Sequence, residues 1–250
     1  MLTALMTTDC EVMKNPPDIH YPSFRERIII VVGGFGSGKT EVSVNLAKYL
    51  YHTAGGAVTI ADLDLVNPYF RTREALTEME ALGIKVITPR GGQFYADLPI
   101  LLPEIKGAID VGVNRLILDV GGDAQGARAL GSLSGEFKPG DYTMLMVLNS
   151  RRPLTSDLPG CLKTMARIER SAKLKFTGLI SNSHMIEETD SEVISEGYIL
   201  AQEVSRATGL PLAFISMRHD LLKTIDVSAF NCPILPLTRS MLKPWEQKRQ

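Results

Sequence analysis

The chain has 250 residues, 44% of them hydrophobic and 22% charged, with a formal net charge of -1 at pH 7. That is enough apolar material for one large core, and the charge balance advertises neither a nucleic-acid surface nor an acidic solvating arm. Cys10, Cys161 and Cys232 are far apart and form no C-x-x-C pair, and the histidines are scattered, so a disulfide framework and a soft-metal site are excluded.

In chain order, residues 1–26 contain Pro16, Pro17 and Pro22, show no periodicity and read as an extension or strap. Asp9 and Glu11 interrupt this segment and it lacks a basic start, so no signal peptide is expected. The run RIIIVV at 27–32 is apolar without alternation, which predicts a strand buried on both faces. A helical pattern follows over about 40–52. The same alternation continues with strands at 57–62, 85–89, 115–120, 142–149, 176–182 and 212–216. Helices are predicted between and after them at about 71–82, 99–112, 124–133, 154–172, 189–208 and 219–226. Such a pattern predicts an α/β fold, a parallel sheet with right-handed crossovers and helices on both faces. No linker divides 27–250, which is expected to form a single domain. No apolar run reaches the ~18 residues of a membrane span. A reducing, cytoplasmic setting fits the cysteine usage.

Gly33-Gly34-Phe35-Gly36-Ser37-Gly38-Lys39-Thr40 satisfies G-x-x-x-x-G-K-[ST] between a strand and a helix. Glycines let successive N–H groups turn inward at a helix N-terminus and form a nest for anions. Lys39 would reach the β and γ phosphates of a nucleotide, and the Thr40 hydroxyl would take one Mg²⁺ position. These residues and the adjoining Glu41 are candidate nucleotide contacts. The bland alternative is a glycine-rich turn that ends in Lys-Thr by accident.

Carboxylates follow at predicted strand ends. Asp62 and Asp64 are two apart on an extended segment, so both can face the crevice at the strand C-termini. One can orient water and the other can hold a water on the metal, which makes both candidate metal groups. Asp119 ends the run LILD, where an acid can bind Mg²⁺ through water. Gly121 and Gly122 follow it and can swing an N–H toward a γ-phosphate, with Asp123 and Gln125 as weaker candidates for ordering water. Lys39, Asp64 and Asp119 are the candidate catalytic residues.

Together these segments resemble the MinD/ParA/Mrp group of P-loop ATPases, the CobQ/CobB/MinD/ParA nucleotide-binding domain, over most of 27–220. The resemblance implies a three-layer P-loop NTPase fold with a mostly parallel sheet of about seven or eight strands. It also implies Mg²⁺-ATP binding, slow hydrolysis and a nucleotide-driven change of protein partner or of the chain's own oligomer, a homodimer included. By position, Lys39 and Thr40 match the phosphate lysine and magnesium hydroxyl, Asp64 the water-positioning acid and Asp119 the Walker B acid. Asn182 falls where the family sets an Asn against the base, and the stretch Asn182-Ser183-His184-Met185 lacks the N-K-x-D acid that grips guanine, which favours adenine. The loop 216–220 would close the other side of the base, with Met217 in place of a common proline. The dimerising members carry a lysine where this chain has Gly34, so Arg151 and Arg152 are candidates to supply that charge.

Other features are ambiguous. Pro68, Tyr69, Phe70, Arg71 and Arg73 can form a nucleotide-sensitive partner surface or pack ordinarily. The tail with Met241, Leu242, Lys243, Pro244, Trp245, Lys248 and Arg249 reads as frayed rather than membrane-lying, because Pro244 breaks the helix, and no membrane partner is expected. A nucleic-acid partner is not expected either. The alternative activity is an ATP-dependent ligase or transferase related to dethiobiotin synthetase or cobyrinate amidase, with Arg90, Gly91, Gly92 and Tyr95 lining the small-molecule pocket.

Overall fold

The computed structural model describes residues 19–54, 57–64, 73–88, 94–110, 115–138 and 140–240. Eight strands form one sheet: β1 (Ile28–Gly33), β2 (Val58–Leu63), β3 (Lys85–Ile87), β4 (Arg115–Gly121), β5 (Tyr142–Leu148), β6 (Gly178–Ser181), β7 (Leu212–Arg218) and β8 (Ile234–Leu237). Their spatial order is β3-β2-β4-β1-β5-β6-β7-β8, and every neighbouring pair is parallel. Six α-helices are described: α1 (Lys39–Ala54), α2 (Arg73–Ala81), α3 (Phe94–Asp110), α4 (Ala124–Ser132), α5 (Leu158–Ala172) and α6 (Ser191–Thr208).

The continuous apolar runs follow from this arrangement. In β1, Ile28, Ile30 and Val32 enter one core, while Ile29 and Val31 enter the other. The first core is closed by side chains of α3, α4, α5 and α6, such as Ile105, Leu130, Met165 and Val204. The second is closed by α1 and α2, through Val42, Leu46 and Met79. A strand covered on both sides must be apolar at every position, so period-two alternation is lost. The three-layer α/β fold expected of the sequence is the one observed.

Several boundaries differ from the sequence expectation for local reasons. The helix expected from 154 starts at Leu158, because Asp157 caps it by accepting the Gly160 N–H at 2.8 Å. The helix expected over 219–226 is a short 3-10 turn, His219–Lys223. The strand β8 went unread: its apolar stretch is four residues long and Pro236 lies within it, a residue tolerated at a sheet edge. At this edge His20 O accepts the Ile234 N–H at 2.8 Å, and further along the chain Phe24 packs edge-on against Phe214 of β7 while its carbonyl accepts from Arg115 of β4.

Beyond β8 the chain is pinned by a side chain that imitates a strand. Asn45 of α1 donates to Thr238 O at 3.0 Å and accepts from Thr238 N at 2.9 Å. Asn45 is itself only 3% exposed, so replacing it removes both bonds to Thr238 and empties a buried position. Asn45→Ala is therefore expected to lower stability by about 2 kcal/mol in urea unfolding; a change under about 0.5 kcal/mol would show that water or neighbours satisfy Thr238.

Candidate functional site

The loop between β1 and α1 is shaped by its glycines. Gly36 and Gly38 have φ of 73° and 82°, the left-handed region that side chains disfavour. The Ser37 N–H closes a turn on Gly34 O at 3.0 Å, and Ser37, Lys39 and Thr40 are buried. The unpaired N–H groups of the first turn of α1 lie at this point, where the helix dipole is positive. On the far side of the loop, Gly122 donates its N–H to Gly33 O at 3.0 Å. A Cβ on Gly122 would lie 2.7 Å from that same oxygen, so only glycine lets the end of β4 approach the loop this closely.

Three carboxylates surround the loop lysine. Asp62 on β2 and Asp119 on β4 are register partners, and Asp119 is also opposite Val31 of β1. Asp64 lies one residue past β2 and forms an ion pair with Lys39, while its own N–H donates to Asp62 Oδ1 at 2.9 Å. Burial alone would lower the Lys39 pKa, but the charges of Asp119, Asp64 and Asp62 outweigh it and hold the ammonium above its ordinary value. Asp119 is fully buried, and desolvation raises its pKa against the opposing pull of Lys39 and of hydrogen bonds from Thr40 and Ser43.

The expected metal set of Thr40, Asp62, Asp64 and Asp119 can be tested on these contacts. Among the described residues no three His, Cys, Asp or Glu side chains converge as a metal cluster. Asp64 is instead committed to Lys39 and Asp62 to the Asp64 backbone. Asp119 Oδ2, however, is buried without a hydrogen-bond partner among the described residues. An orphaned acceptor beside the Thr40 hydroxyl fits a hard cation that keeps most of its ligands as water and phosphate, as Mg²⁺ does. Asp123, a candidate for ordering water, serves as the cap of α4, accepting from Gln125 N at 2.7 Å and Gly126 N at 3.0 Å.

The opposite side of the loop belongs to β5, β6 and β7. Asn182 is 2% exposed, donates to Ser37 O at 2.8 Å and accepts from Ser216 Oγ at 2.9 Å. Its amide thus braces the loop, and the base contact expected of it would have to come from the remaining N–H or the second acceptor site of Oδ1. Arg152 donates from Nε to Gly36 O at 2.7 Å, whereas Arg151 is ion-paired with Glu196. Glu41, an expected nucleotide contact, turns its carboxylate to Asn45 and to the Ser240 N–H, beyond β8. Phe35 is 84% exposed at the loop tip.

Sequence reasoning passed over Asn149 and His184. Asn149 is fully buried after β5, donates weakly to Gly36 O and His184 O at 3.4 Å and accepts from Arg151 N at 2.9 Å. A polar residue ending an apolar strand is the available signal, the same one that marks Asp119 and Asn182. His184 Nε2 is buried without a partner among the described residues and lies 2.9 Å from where a Gly38 Cβ would be. Burial, then the charge of Arg152, lowers its pKa to about 4. Pro68, Tyr69, Phe70, Arg71, Arg90, Gly91, Gly92 and the tail from Met241 lie outside the described residues, as do the side chains of Arg73 and Tyr95.

No protein-family model matches the sequence, and no curated protein matches it. Solved structures do match. FtsY from Thermotoga maritima is 21% identical with a TM-score of 0.51, over 87% of this chain and 70% of that one. The 54 kDa signal recognition particle protein of Aeropyrum pernix, in complex with GDP, is 21% identical with a TM-score of 0.51, over 86% of this chain and 45% of that one. FlhF complexed with GTP/Mg²⁺ is 15% identical with a TM-score of 0.52, over 88% and 76%. The α/β fold is of the P-loop NTPase kind and is shared with these structures. These structures do not support the finer MinD/ParA/Mrp assignment.

A histidine kept neutral by burial has a stability consequence. Between its ordinary value of 6.5 and about 4, the unfolded chain binds a proton that the folded chain refuses. Its contribution to stability is therefore complete above that window and is lost as pH falls through it. His184→Gln is expected to flatten the decline in unfolding free energy between pH 6.5 and 4 relative to wild type. Parallel curves for the two proteins would show that His184 titrates freely.

Proposed function

We propose that the chain is a Mg²⁺-dependent nucleoside triphosphatase of slow turnover, using ATP as a switch on a protein partner or on its own oligomer, in the manner of the MinD/ParA/Mrp group. The observation that carries this reading is Lys39: a buried cation held by Asp64 at the mouth of an amide-lined anion nest. A polyphosphate offers the ammonium a second set of acceptors. As Lys39 turns to the β and γ phosphates, Asp64 is released to orient a water for in-line attack. Thr40 and Asp119 would hold Mg²⁺, which when bound neutralises charge on the β and γ oxygens.

The switch resides in the residues that follow Asp119. The Gly122 N–H now satisfied by Gly33 O is a donor that can be re-aimed at a terminal phosphate. Arg167 of α5 donates to Gly122 O at 3.4 Å, in the next peptide unit, so a rearrangement at Gly122 reaches an outer helix on which a partner could act.

For the base, adenine is favoured by the absence of an acid across Asn182-Ser183-His184-Met185. One observation favours a second reading, GTP: two of the matched structures carry guanine nucleotides. The ligase or transferase alternative has no support from the matched folds. Among the described residues no helix is long and apolar enough to cross a membrane.

Calorimetric titration with ATP and GTP in the presence of Mg²⁺, combined with light scattering, separates the base readings and reports nucleotide-dependent association. Lys39→Ala is expected to weaken triphosphate binding by about 100-fold or more. Asp64→Ala should still bind but turn over about 100-fold more slowly. Equal turnover in Asp64→Ala and wild type would reject the role given to Asp64, and unchanged affinity in Lys39→Ala would reject the site.

A further inference from the structure

The strand order gives the loop two unlike sides. On one side of β1 stand β4 and β2, which bring Asp119, Asp62 and Asp64. On the other stand β5, β6 and β7, which bring Arg152, Asn182, His184 and Ser216. The terminal phosphates and their cation belong with the carboxylates. The nucleoside end of the ligand must then extend over the other side, across Gly36 and Gly38.

Arg152 is stationed there. Its Nε is fixed on Gly36 O at 2.7 Å, and a Cβ built on Gly36 would lie 2.9 Å from Nε, 3.2 Å from Cζ and 3.3 Å from Cδ. The guanidinium therefore lies across the loop glycine, and the residue is only half-buried. His184 occupies the next position along the loop, against Gly38, with Nε2 buried and unpartnered among the described residues. Met185 and Ile186 continue this edge as exposed apolar side chains, 42% and 37% accessible. A guanidinium by itself could meet phosphate, but the uncharged imidazole and the apolar rim beside it add nothing to phosphate neutralisation. They suit an aromatic base, which a guanidinium plane can cover by stacking and cation–π attraction.

We infer that Arg152 is a platform for the nucleotide base, held in place by Gly36 O, with His184 beside it, and is not a phosphate-neutralising arginine. The inference rests on the nucleotide reading above. It removes Arg152 from the γ-phosphate, the role that the glycine at position 34 had suggested for it. Arg152 thereby becomes a positioning and affinity residue for the nucleoside, while the phosphate charge in this chain is met by Lys39, the loop amides and the cation.

The test compares ligands that do and do not carry a base. Wild type, Arg152→Ala, Arg152→Lys and Arg151→Ala are titrated with ATP, ADP, GTP, GDP and inorganic tripolyphosphate, each with Mg²⁺. A base platform predicts that Arg152→Ala weakens the preferred triphosphate and its diphosphate by the same factor, about 10-fold. Tripolyphosphate binding and kcat should stay unchanged, so that only KM rises. Arg152→Lys should recover little, since an ammonium keeps the charge but not the plane. Arg151→Ala should behave as wild type. Equal losses for tripolyphosphate and triphosphate would overturn the inference. So would a loss confined to triphosphates, or full rescue by Arg152→Lys. Wild type that takes up neither ATP nor GTP would overturn the nucleotide reading itself, and the variants are not needed to see it.

Discussion

A single ammonium set among three buried carboxylates governs the architecture of this site. Lys39 is in contact with Asp64, and the charges of Asp119 and Asp62 act on it as well. Burying unlike numbers of opposite charges is costly, because the desolvation of each carboxylate is not repaid in full by one shared cation. Asp119 shows the imbalance directly: it is buried, its pKa is raised, and one of its oxygens has no partner among the described residues. A ligand that balances such a set must bring a cation to the carboxylates and an anion to the lysine and the loop amides. A polyphosphate with a divalent cation does both at once. The site is then least strained when filled, which couples ligand binding to the stability of the strand ends that form it.

The same strand ends set the range over which the ligand can act. Gly122 approaches Gly33 so closely that a methyl group would collide with the Gly33 carbonyl. Any rearrangement of the loop around phosphate is therefore felt at the exit of β4, and any rearrangement there is felt by Arg167 on α5. Packed contacts of this kind transmit small shifts because the interior on either side does not compress. The three-layer fold supplies that stiffness: both faces of the sheet are covered, and the central strands β1 and β4 are almost wholly inaccessible.

What could be read from the sequence follows the range of the interactions involved. The phosphate loop, the strand before it and the helix after it are local, and Gly33 to Thr40 announced them. Asp119 was legible because an apolar run led into it. The fold class followed from repeated strand–helix alternation. By contrast, β8 was invisible, since four residues containing Pro236 carry almost no periodic signal and are made a strand only by β7 alongside. The carboxylate partner of Glu41 was hidden for the same reason: nothing near it in sequence reveals that Ser240 will lie within reach. Arg152 and His184 needed the strand order itself, because their proximity to Gly36 and Gly38 is made by β5 and β6 coming to rest beside β1.

Gly34 sharpens the question of what the loop lacks. A Cβ at this position would meet nothing within 4 Å, so packing within the chain does not demand a glycine there. A lysine would fit sterically, yet the chain presents no side chain at this point. The neighbouring Phe35 stands 84% exposed, so the tip of the loop offers an apolar surface rather than a charge. A cationic tip attracts the phosphates of a second subunit's nucleotide over a distance, whereas an apolar tip gains only when a surface closes over it and expels water. Any association across this face would therefore depend on shape and burial more than on charge, and would be less sensitive to salt than a lysine-bridged pair.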